Sequence, residues 1–167
     1  MKDVNYASVA GDSIDKIFKK GAFLTVKSGN ALNTMTIGWS MFGAIWNKRI
    51  MMVAVRHTRH TFGIIESAVD FTVTVPEGDM SKELAVCGTK SGRDIDKFKE
   101  CNLETAAGLK VASPVIKTSG RHYECKIVYK SAMDPVFLDK GYDSAIYQLK
   151  DYHTLYYGEV LACYETD

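Results

Sequence analysis

Hydrophobic and polar residues alternate with a period of two over several stretches of the chain, a pattern typical of β-strands. Phe71–Val75 and His122–Lys130 follow this pattern, and the first is predicted to be a half-buried strand ending at Pro76. Ile50–Val55 is an uninterrupted apolar run, which predicts a strand covered on both faces. Leu155–Tyr164 is long and rich in aromatic and branched residues, and it predicts a further strand.

A β-hairpin is predicted in the first quarter of the chain. Ala22–Lys27 and Ala31–Ile37 have strand composition, and Ser28-Gly29-Asn30 between them contains a glycine that can adopt positive φ. This hairpin would carry the polar stretch Asn33–Trp39 to one end of the sheet.

Helical patterns are short by comparison. The first predicted helix, Gly11–Phe18, is capped by Asp12 or Ser13 and stops at Lys19-Lys20-Gly21. The second, Arg59–Ser67, is capped by Thr58, and the third, which is capped by Asp79, runs through Leu84 to Cys87. The fourth is Asp94–Phe98. Many strands with few short helices predict a mainly β fold, a β-barrel with helical decorations, rather than a parallel α/β sheet.

Composition excludes several function classes. The 167 residues predict a single domain, 1–167, and a net charge of +1 provides no basic field for binding nucleic acid. The sequence shows neither a signal-peptide pattern nor an apolar run of the ~18 residues that a membrane span needs. We therefore expect a cytoplasmic protein with neither nucleic acid nor membrane as a partner.

Motifs for metals, nucleophiles and nucleotides are absent from the sequence. The four cysteines contain no C-x-x-C and share no ligand spacing with the four histidines, so buried thiols are predicted rather than a metal or redox site. Neither G-x-G-x-x-G nor a P-loop occurs, so a phosphate group would have to be held in another way.

Polar residues cluster where two predicted strands end. Asn33–Trp39 is either a plain strand end or a wall for a flat, polar ring; Arg56–Thr61 is either a solvated loop or a phosphate site at a helix start. Ser91–Lys97 provides a second helix start with a glycine and cations nearby. His153 is either a structural histidine or part of this site, since no catalytic triad or H-E-x-x-H motif lies near it.

These stretches together resemble the flavin reductase-like family, whose members have an FMN-binding split barrel. The resemblance rests on six motifs in register, from about residue 12 to 165: Gly21–Lys27, Asn33–Trp39, Arg56-x-x-Arg59-x-Thr61, Phe71–Val73, Ser91–Phe98 and Asp151–His153. It implies a Greek-key split β-barrel that forms a homodimer, with FMN bound near the dimer interface.

The resemblance also implies which residues hold FMN. The matching positions are Asn33, Thr34, Met35, Thr36, Trp39, Arg56, Thr58, Thr61, Ser91, Lys97, His153 and Tyr157. Those of the first stretch would line the ring and ribityl chain, those from Arg56 to Thr61 would contact the phosphate, and Ser91 and Lys97 would close over the flavin. His153 and Tyr157 would approach the ring, and a contact from the second subunit is an open alternative. His153 is the candidate catalytic residue, although the flavin itself carries most of the chemistry.

The resemblance implies an oxidoreductase that passes electrons from NAD(P)H through bound FMN to free flavin, a ferric chelate or a partner protein. The cofactor would supply the redox chemistry, because no side chain can carry a hydride. Two alternatives are a non-catalytic FMN-binding electron carrier or storage protein, and a ligand-free interaction domain. Oxidation of a pyridoxamine phosphate matches the motifs less well.

Overall fold

The computed structural model describes residues 1–167. Its ten strands are β1 (Lys2–Asp3), β2 (Ala22–Ser28), β3 (Ala31–Ile37), β4 (Ser40–Ile45), β5 (Lys48–Arg56), β6 (Asp70–Pro76), β7 (Thr105–Ala106), β8 (Val115–Ile116), β9 (Gly120–Ala132) and β10 (His153–Thr166). The helices are α1 (Tyr6–Lys20), α2 (His60–Ile65), α3 (Ser81–Thr89), α4 (Lys97–Glu100) and α5 (Lys140–Ile146), with a 3-10 turn at Pro135–Phe137.

One antiparallel sheet dominates the structure. Its strands lie in the order β3-β2-β6-β9-β10-β5-β4, with β1 added along β10, while β7 and β8 form a separate pair. Its core contains fully buried large side chains such as Phe71, Tyr123 and Tyr156. The prediction of a mainly β fold with a few short helices is confirmed.

Helix α1 begins earlier than predicted. Its N-cap is Asn5, whose side chain accepts a hydrogen bond from the Ala7 N–H, whereas Asp12 and Ser13 lie inside the helix. These two side chains bind Arg121 of β9 instead of capping, so tertiary partners replace the local role. The predicted end is confirmed, because Gly21 follows the helix with φ 86°.

Strand β6 is buried on both faces, so the prediction of a half-buried strand is wrong. Two of its threonines, Thr72 and Thr74, form hydrogen bonds with β8 and with the residue just before it. The Thr72 hydroxyl donates to the Pro114 carbonyl at 2.6 Å, and the Thr74 hydroxyl accepts from the Ile116 N–H at 3.3 Å. Hydrogen bonds of this kind allow polar side chains to be buried at little cost.

The other helices also depart from the sequence predictions. Helix α2 begins at His60 with Arg59 as its N-cap, not Thr58. Helix α3 runs on to Thr89, past Cys87. Helix α4 spans Lys97–Glu100, so it begins and ends later than the predicted Asp94–Phe98. Helix α5 lies in the connection between β9 and β10, for which no helix was predicted.

Several chain segments meet at one end of the sheet. His153, the first residue of β10, pairs with Arg56, the last residue of β5. The Trp39 carbonyl, just after β3, accepts a hydrogen bond from the Ala54 N–H at 3.4 Å. The ends of β3 and β5 and the start of β10 therefore lie side by side, which brings the candidate residues together.

None of the helices has the length and apolar character needed to cross a membrane.

Candidate functional site

A cleft of about 240 Å³ opens where these strand ends meet. We call it the first cleft; it is lined by Met35, Thr36, Ile37, Gly38, Trp39, Ala54, Arg56, Arg59 and His153. Trp39 forms an aromatic wall that is 44% exposed, and its ring centroid lies 4.5 Å from that of His153. The cleft combines flat apolar surface with two guanidinium groups.

His153 is buried at the first cleft beside Tyr147, a residue that no sequence motif marks. The Tyr147 hydroxyl lies 2.7 Å from Nδ1 of His153. Burial, reinforced by the positive charge of Arg56, lowers the pKa of His153 to about 4. The imidazole is therefore neutral near pH 7.

Arg56 connects the first cleft to the end of α5. Its guanidinium lies 5.3 Å from the centroid of the Tyr147 ring and donates to the Ile146 carbonyl at 3.4 Å. A cation over an aromatic face is attracted to it, so Arg56 and Tyr147 hold each other in place. The predicted role of Arg56 was contact with a phosphate; here its contacts place it at the aromatic cleft.

A smaller second cleft, of about 90 Å³, lies next to the first, and Met35 and Arg59 line both. The second cleft is lined by Asn33, Met35, Thr58, Arg59, His60, Thr61, Cys87, Thr89, Lys90, Ser91, Gly92 and Lys97. No carboxylate lines either cleft, while four cationic side chains do: Arg56, Arg59, Lys90 and Lys97. The charge of the second cleft suits an anion.

Gly92 brings the loop after α3 against β3. A Cβ atom at this position would lie 2.4 Å from Oδ1 of Asn33 and 2.7 Å from Cδ2 of His60. The amide of Asn33 is itself held, because its Nδ2 donates to the Thr61 hydroxyl at 2.8 Å. Only glycine allows the loop to close this wall of the second cleft.

Lys97 is an unusually buried cation in the second cleft. It is 4% exposed, and its Nζ donates to the Cys87 carbonyl at 2.7 Å. Burial lowers its pKa from the ordinary value, and the charge of Arg59 acts in the same direction. A buried lysine is costly unless paired, so an anion in the cleft would relieve its desolvation.

Residues 18–167 match the family model described as flavin reductase like domain. The chain belongs to this family. A relative, an uncharacterized protein of Archaeoglobus fulgidus, is 27% identical over 69% of the chain. The alignment spans 64% of that relative's own length, so the chain spans less than two thirds of it.

Solved structures share the fold of this flavin reductase-like domain. Flavoredoxin of Desulfovibrio vulgaris (Miyazaki F) superimposes with a TM-score of 0.69 at 18% identity, covering 88% of this chain and 69% of that chain. The NADH:FAD oxidoreductase SgcE6 of Streptomyces globisporus C-1027 superimposes with a TM-score of 0.65 at 17% identity, covering 99% of this chain and 87% of that chain. The predicted split-barrel fold is confirmed by this likeness.

The flavin reductase-like domain brings ten of the twelve predicted residues to its two clefts. Thr34 and Tyr157 lie outside both. Thr34 alternates to the opposite face of β3 from Asn33 and Met35, and its hydroxyl donates to the Leu24 carbonyl at 3.3 Å. The ring centroids of Tyr157 and Tyr129 lie 5.5 Å apart. A contact between Tyr157 and a ring in another subunit stays a prediction.

The two predicted phosphate sites at helix starts differ from expectation. Thr58 lines the second cleft, but its hydroxyl donates to Oδ2 of Asp151 at 2.6 Å rather than capping α2. The Asp96 carboxylate accepts hydrogen bonds from the Phe98 and Lys99 N–H groups, so it fills the start of α4. Anion binding at the second cleft would therefore depend on side chains and on the loop around Gly92.

Tyr147, Asp151 and Gly92 were not among the predicted site residues. Tyr147 lies at the end of a helix that the hydrophobic pattern did not reveal, and no motif surrounds it. Asp151 and Gly92 do lie inside stretches that matched the family, so those matches were the available signal. Their contacts with Thr58 and Asn33 depend on long-range packing.

Proposed function

We propose that this flavin reductase-like domain is an FMN-binding oxidoreductase, which passes electrons from NAD(P)H through bound flavin to free flavin, a ferric chelate or a partner protein. The observation that carries the proposal is that the two clefts are adjacent and share Met35 and Arg59 as lining residues. One cleft is aromatic and the other cationic, as a flat ring with a phosphorylated tail requires.

The first cleft suits the flavin ring. Trp39 and Met35 offer apolar surface, and neutral His153 offers a polar ring edge at low desolvation cost. The Thr36 hydroxyl is already engaged, because it donates to the Leu84 carbonyl at 2.6 Å. Specific polar contacts to the ring would therefore come from His153 and from backbone groups.

The second cleft suits the phosphorylated chain. Arg59 and Lys97 provide positive charge, and both are oriented by backbone carbonyls: Arg59 Nη1 donates to the Gly88 carbonyl at 3.1 Å, and Lys97 Nζ to that of Cys87. Preorganised cations bind phosphate strongly because little ordering is needed on binding. Asn33 and Ser91 add neutral polar groups for the ribityl chain.

When bound, FMN would supply the hydride and electron transfer that no side chain of this chain can perform. The residues of the clefts would orient the ring, exclude water and place positive charge near it. Arg56 and Arg59 would favour negative charge on a ring bound in the first cleft, because a cation nearby stabilises negative charge.

We also propose that the domain forms a homodimer through an apolar groove of about 560 Å³ beside the first cleft. Exposed Phe18 and Met41 line it, and it shares Trp39 and Ala54 with the first cleft. A second copy seated there would form another wall of the flavin site.

Light scattering on the purified protein tests this assembly. Phe18 is 82% exposed at the groove and Phe137 is 88% exposed outside it, so they form a matched pair. Phe18→Glu should give monomers and Phe137→Glu should not. A monomeric parent protein would contradict the proposal.

The absorption spectrum tests the function, recorded on the purified protein, after addition of FMN, and after anaerobic addition of NADH or NADPH. Bound FMN that bleaches with either nucleotide supports the oxidoreductase. Bound FMN that bleaches with neither supports the non-catalytic carrier. A protein that takes up no FMN would overturn both.

A further inference from the structure

Tyr147 is a buried tyrosine beside the first cleft, and the function proposed above does not use its hydroxyl. It is 2% exposed and follows directly after α5. Its ring has three neighbours. It stacks on Tyr152 with ring centroids 4.8 Å apart, lies under the Arg56 guanidinium, and makes a T-shaped contact with Trp39 at a centroid distance of 6.5 Å. Such packing fixes where its hydroxyl points.

The hydroxyl makes one hydrogen bond within the chain, the 2.7 Å contact to Nδ1 of His153. Burial raises the pKa of Tyr147, so the hydroxyl keeps its proton. His153 is neutral near pH 7 and therefore carries a single N–H. Either the Tyr147 hydroxyl or Nδ1 of His153 could donate in this hydrogen bond, and the positions of these two protons decide which one does.

If Nδ1 carried the proton, it would donate to the Tyr147 oxygen and the buried hydroxyl proton would have no acceptor. If Nδ1 is bare, the hydroxyl donates to it and both groups are satisfied. A buried donor without a partner costs free energy, so the second arrangement is favoured. The proton of His153 then resides on Nε2.

Nε2 of His153 has no hydrogen-bond partner in the chain, and no unpartnered side-chain nitrogen or oxygen is fully buried. Nε2 is therefore accessible, and His153 is one of the residues that line the first cleft. The N–H is free to donate to a ligand there.

We propose that Tyr147 is a positioning residue that holds His153 in the tautomer whose Nε2–H donates into the first cleft. The acceptor would be a carbonyl oxygen or unprotonated nitrogen of a flat heteroaromatic ring. The identity of that ring as the flavin of FMN rests on the function proposed above, whereas the tautomer does not.

Nitrogen-15 NMR of the histidine side chains near pH 7 tests the tautomer in the parent protein without any ligand. The chain has four histidines, and His153→Gln identifies the signals of His153 by their loss. We expect Nε2 to be protonated and Nδ1 bare. The opposite pattern would overturn the proposal.

FMN titration then tests the positioning role. Tyr147→Phe removes only the hydroxyl and should weaken FMN binding about threefold to tenfold, the range of one neutral hydrogen bond. Tyr152→Phe is the matched control: its hydroxyl donates to Asp143 on α5, away from His153, and its loss should change affinity less.

A double substitution separates action through His153 from general loosening of the site. A glutamine side-chain amide can donate from a position close to that of Nε2 and needs no tautomer fixed. Tyr147→Phe should therefore lose its effect in the His153→Gln background. An equal loss in both backgrounds would show that Tyr147 acts through packing and overturn the proposal.

Different results would contradict the proposed FMN function and the positioning role of Tyr147. A parent protein that binds no FMN overturns the proposed function, while the NMR result still decides the tautomer. A parent that binds FMN with the Nδ1–H tautomer leaves the function standing and overturns the positioning role.

Discussion

The two clefts meet at Met35 and Arg59 but are built in different ways. The first is formed by strand ends and one buried histidine, on a scaffold of continuous backbone pairing between β5 and β10. The second depends on a loop that closes against β3 through Gly92 and on cations held by carbonyl groups. Ring recognition would therefore rely on sheet geometry, and anion recognition on loop closure.

The largest expected effect of a substitution lies in the second cleft. Lys97→Met keeps the length of the side chain but removes its charge and leaves the Cys87 carbonyl without its donor. We expect FMN affinity to fall about tenfold to hundredfold, since a hydrogen bond to a charged group contributes roughly 1.5–3 kcal/mol. Titration by flavin fluorescence measures it.

Lys99→Met is the control for this change. Lys99 lies on the same helix, but its side chain is 86% exposed and it does not line the second cleft. Equal affinity in Lys97→Met and the parent would remove Lys97 from the anion site.

A somewhat smaller effect is expected from Gly92→Ala. The added Cβ would clash with Asn33 and His60, and a clash of this kind costs roughly 1–3 kcal/mol, so we expect about a tenfold loss of FMN affinity. Gly78→Ala is the matched control, because nothing lies within 4 Å of a Cβ there. If Gly92→Ala binds FMN as the parent does, loop closure does not build the second cleft.

The pH dependence of stability probes the first cleft. The folded-state pKa of His153 is about 4, below the ordinary value near 6.5, because of burial and the charge of Arg56. As pH falls from 6.5 towards 4, the unfolded chain gains a proton that the folded chain does not, so stability falls in this window and this contribution levels off below it. From pH 6.5 to 5 the loss is about 1.5 kcal/mol.

Urea unfolding at several pH values measures this slope. His122, in β9, also has a pKa lowered to about 4 and contributes with the same sign, so the parent and His153→Gln must be compared. The other charged or titratable groups acting on His153 are Asp151, Arg59 and His57, which remain in both proteins. If the free energy of unfolding falls with pH by the same amount in the parent and in His153→Gln, His153 is not held neutral.

The smallest effect is expected at the aromatic wall. Trp39→Phe keeps an aromatic surface in the first cleft, so we expect FMN affinity to fall only about threefold, within the range of one aromatic contact. Trp46→Phe, at an exposed tryptophan outside both clefts, should have no effect. A larger loss for Trp46→Phe would mean that Trp46 contributes to the site, as a partner copy could allow.

The sequence predicted six of the ten strands, including the hairpin, because alternation and turn glycines are local signals. The glycine-containing strand β4 and the two-residue strands β1, β7 and β8 were not predicted. Helix boundaries were less accurate: Asp12 and Ser13 look like caps, but Arg121 binds both side chains inside α1. Thr58 does not cap α2 for a similar reason, because its hydroxyl donates to the Asp151 carboxylate. A capping side chain is ambiguous whenever a distant partner can compete for it.

The candidate site was predicted in its composition but not in its geometry. Arg56, Lys97 and His153 were selected from the sequence, and all three lie at the clefts. Which of them is neutral, and what orients each, was not predictable from their spacing. Tyr147 had no motif and became evident only from its contact with His153.

The sequence by itself determined that this protein is built mainly of β-strands and that polar, cationic and aromatic residues collect at strand ends. Periodicity of the sequence predicts whether a segment is a strand or a helix, which is a local property, but it did not reveal that both faces of β6 are buried. Only the tertiary structure decided that Gly92 packs against Asn33 and that Tyr147 meets Nδ1 of His153. Contacts of this kind arise from how distant segments pack together, which no local pattern specifies.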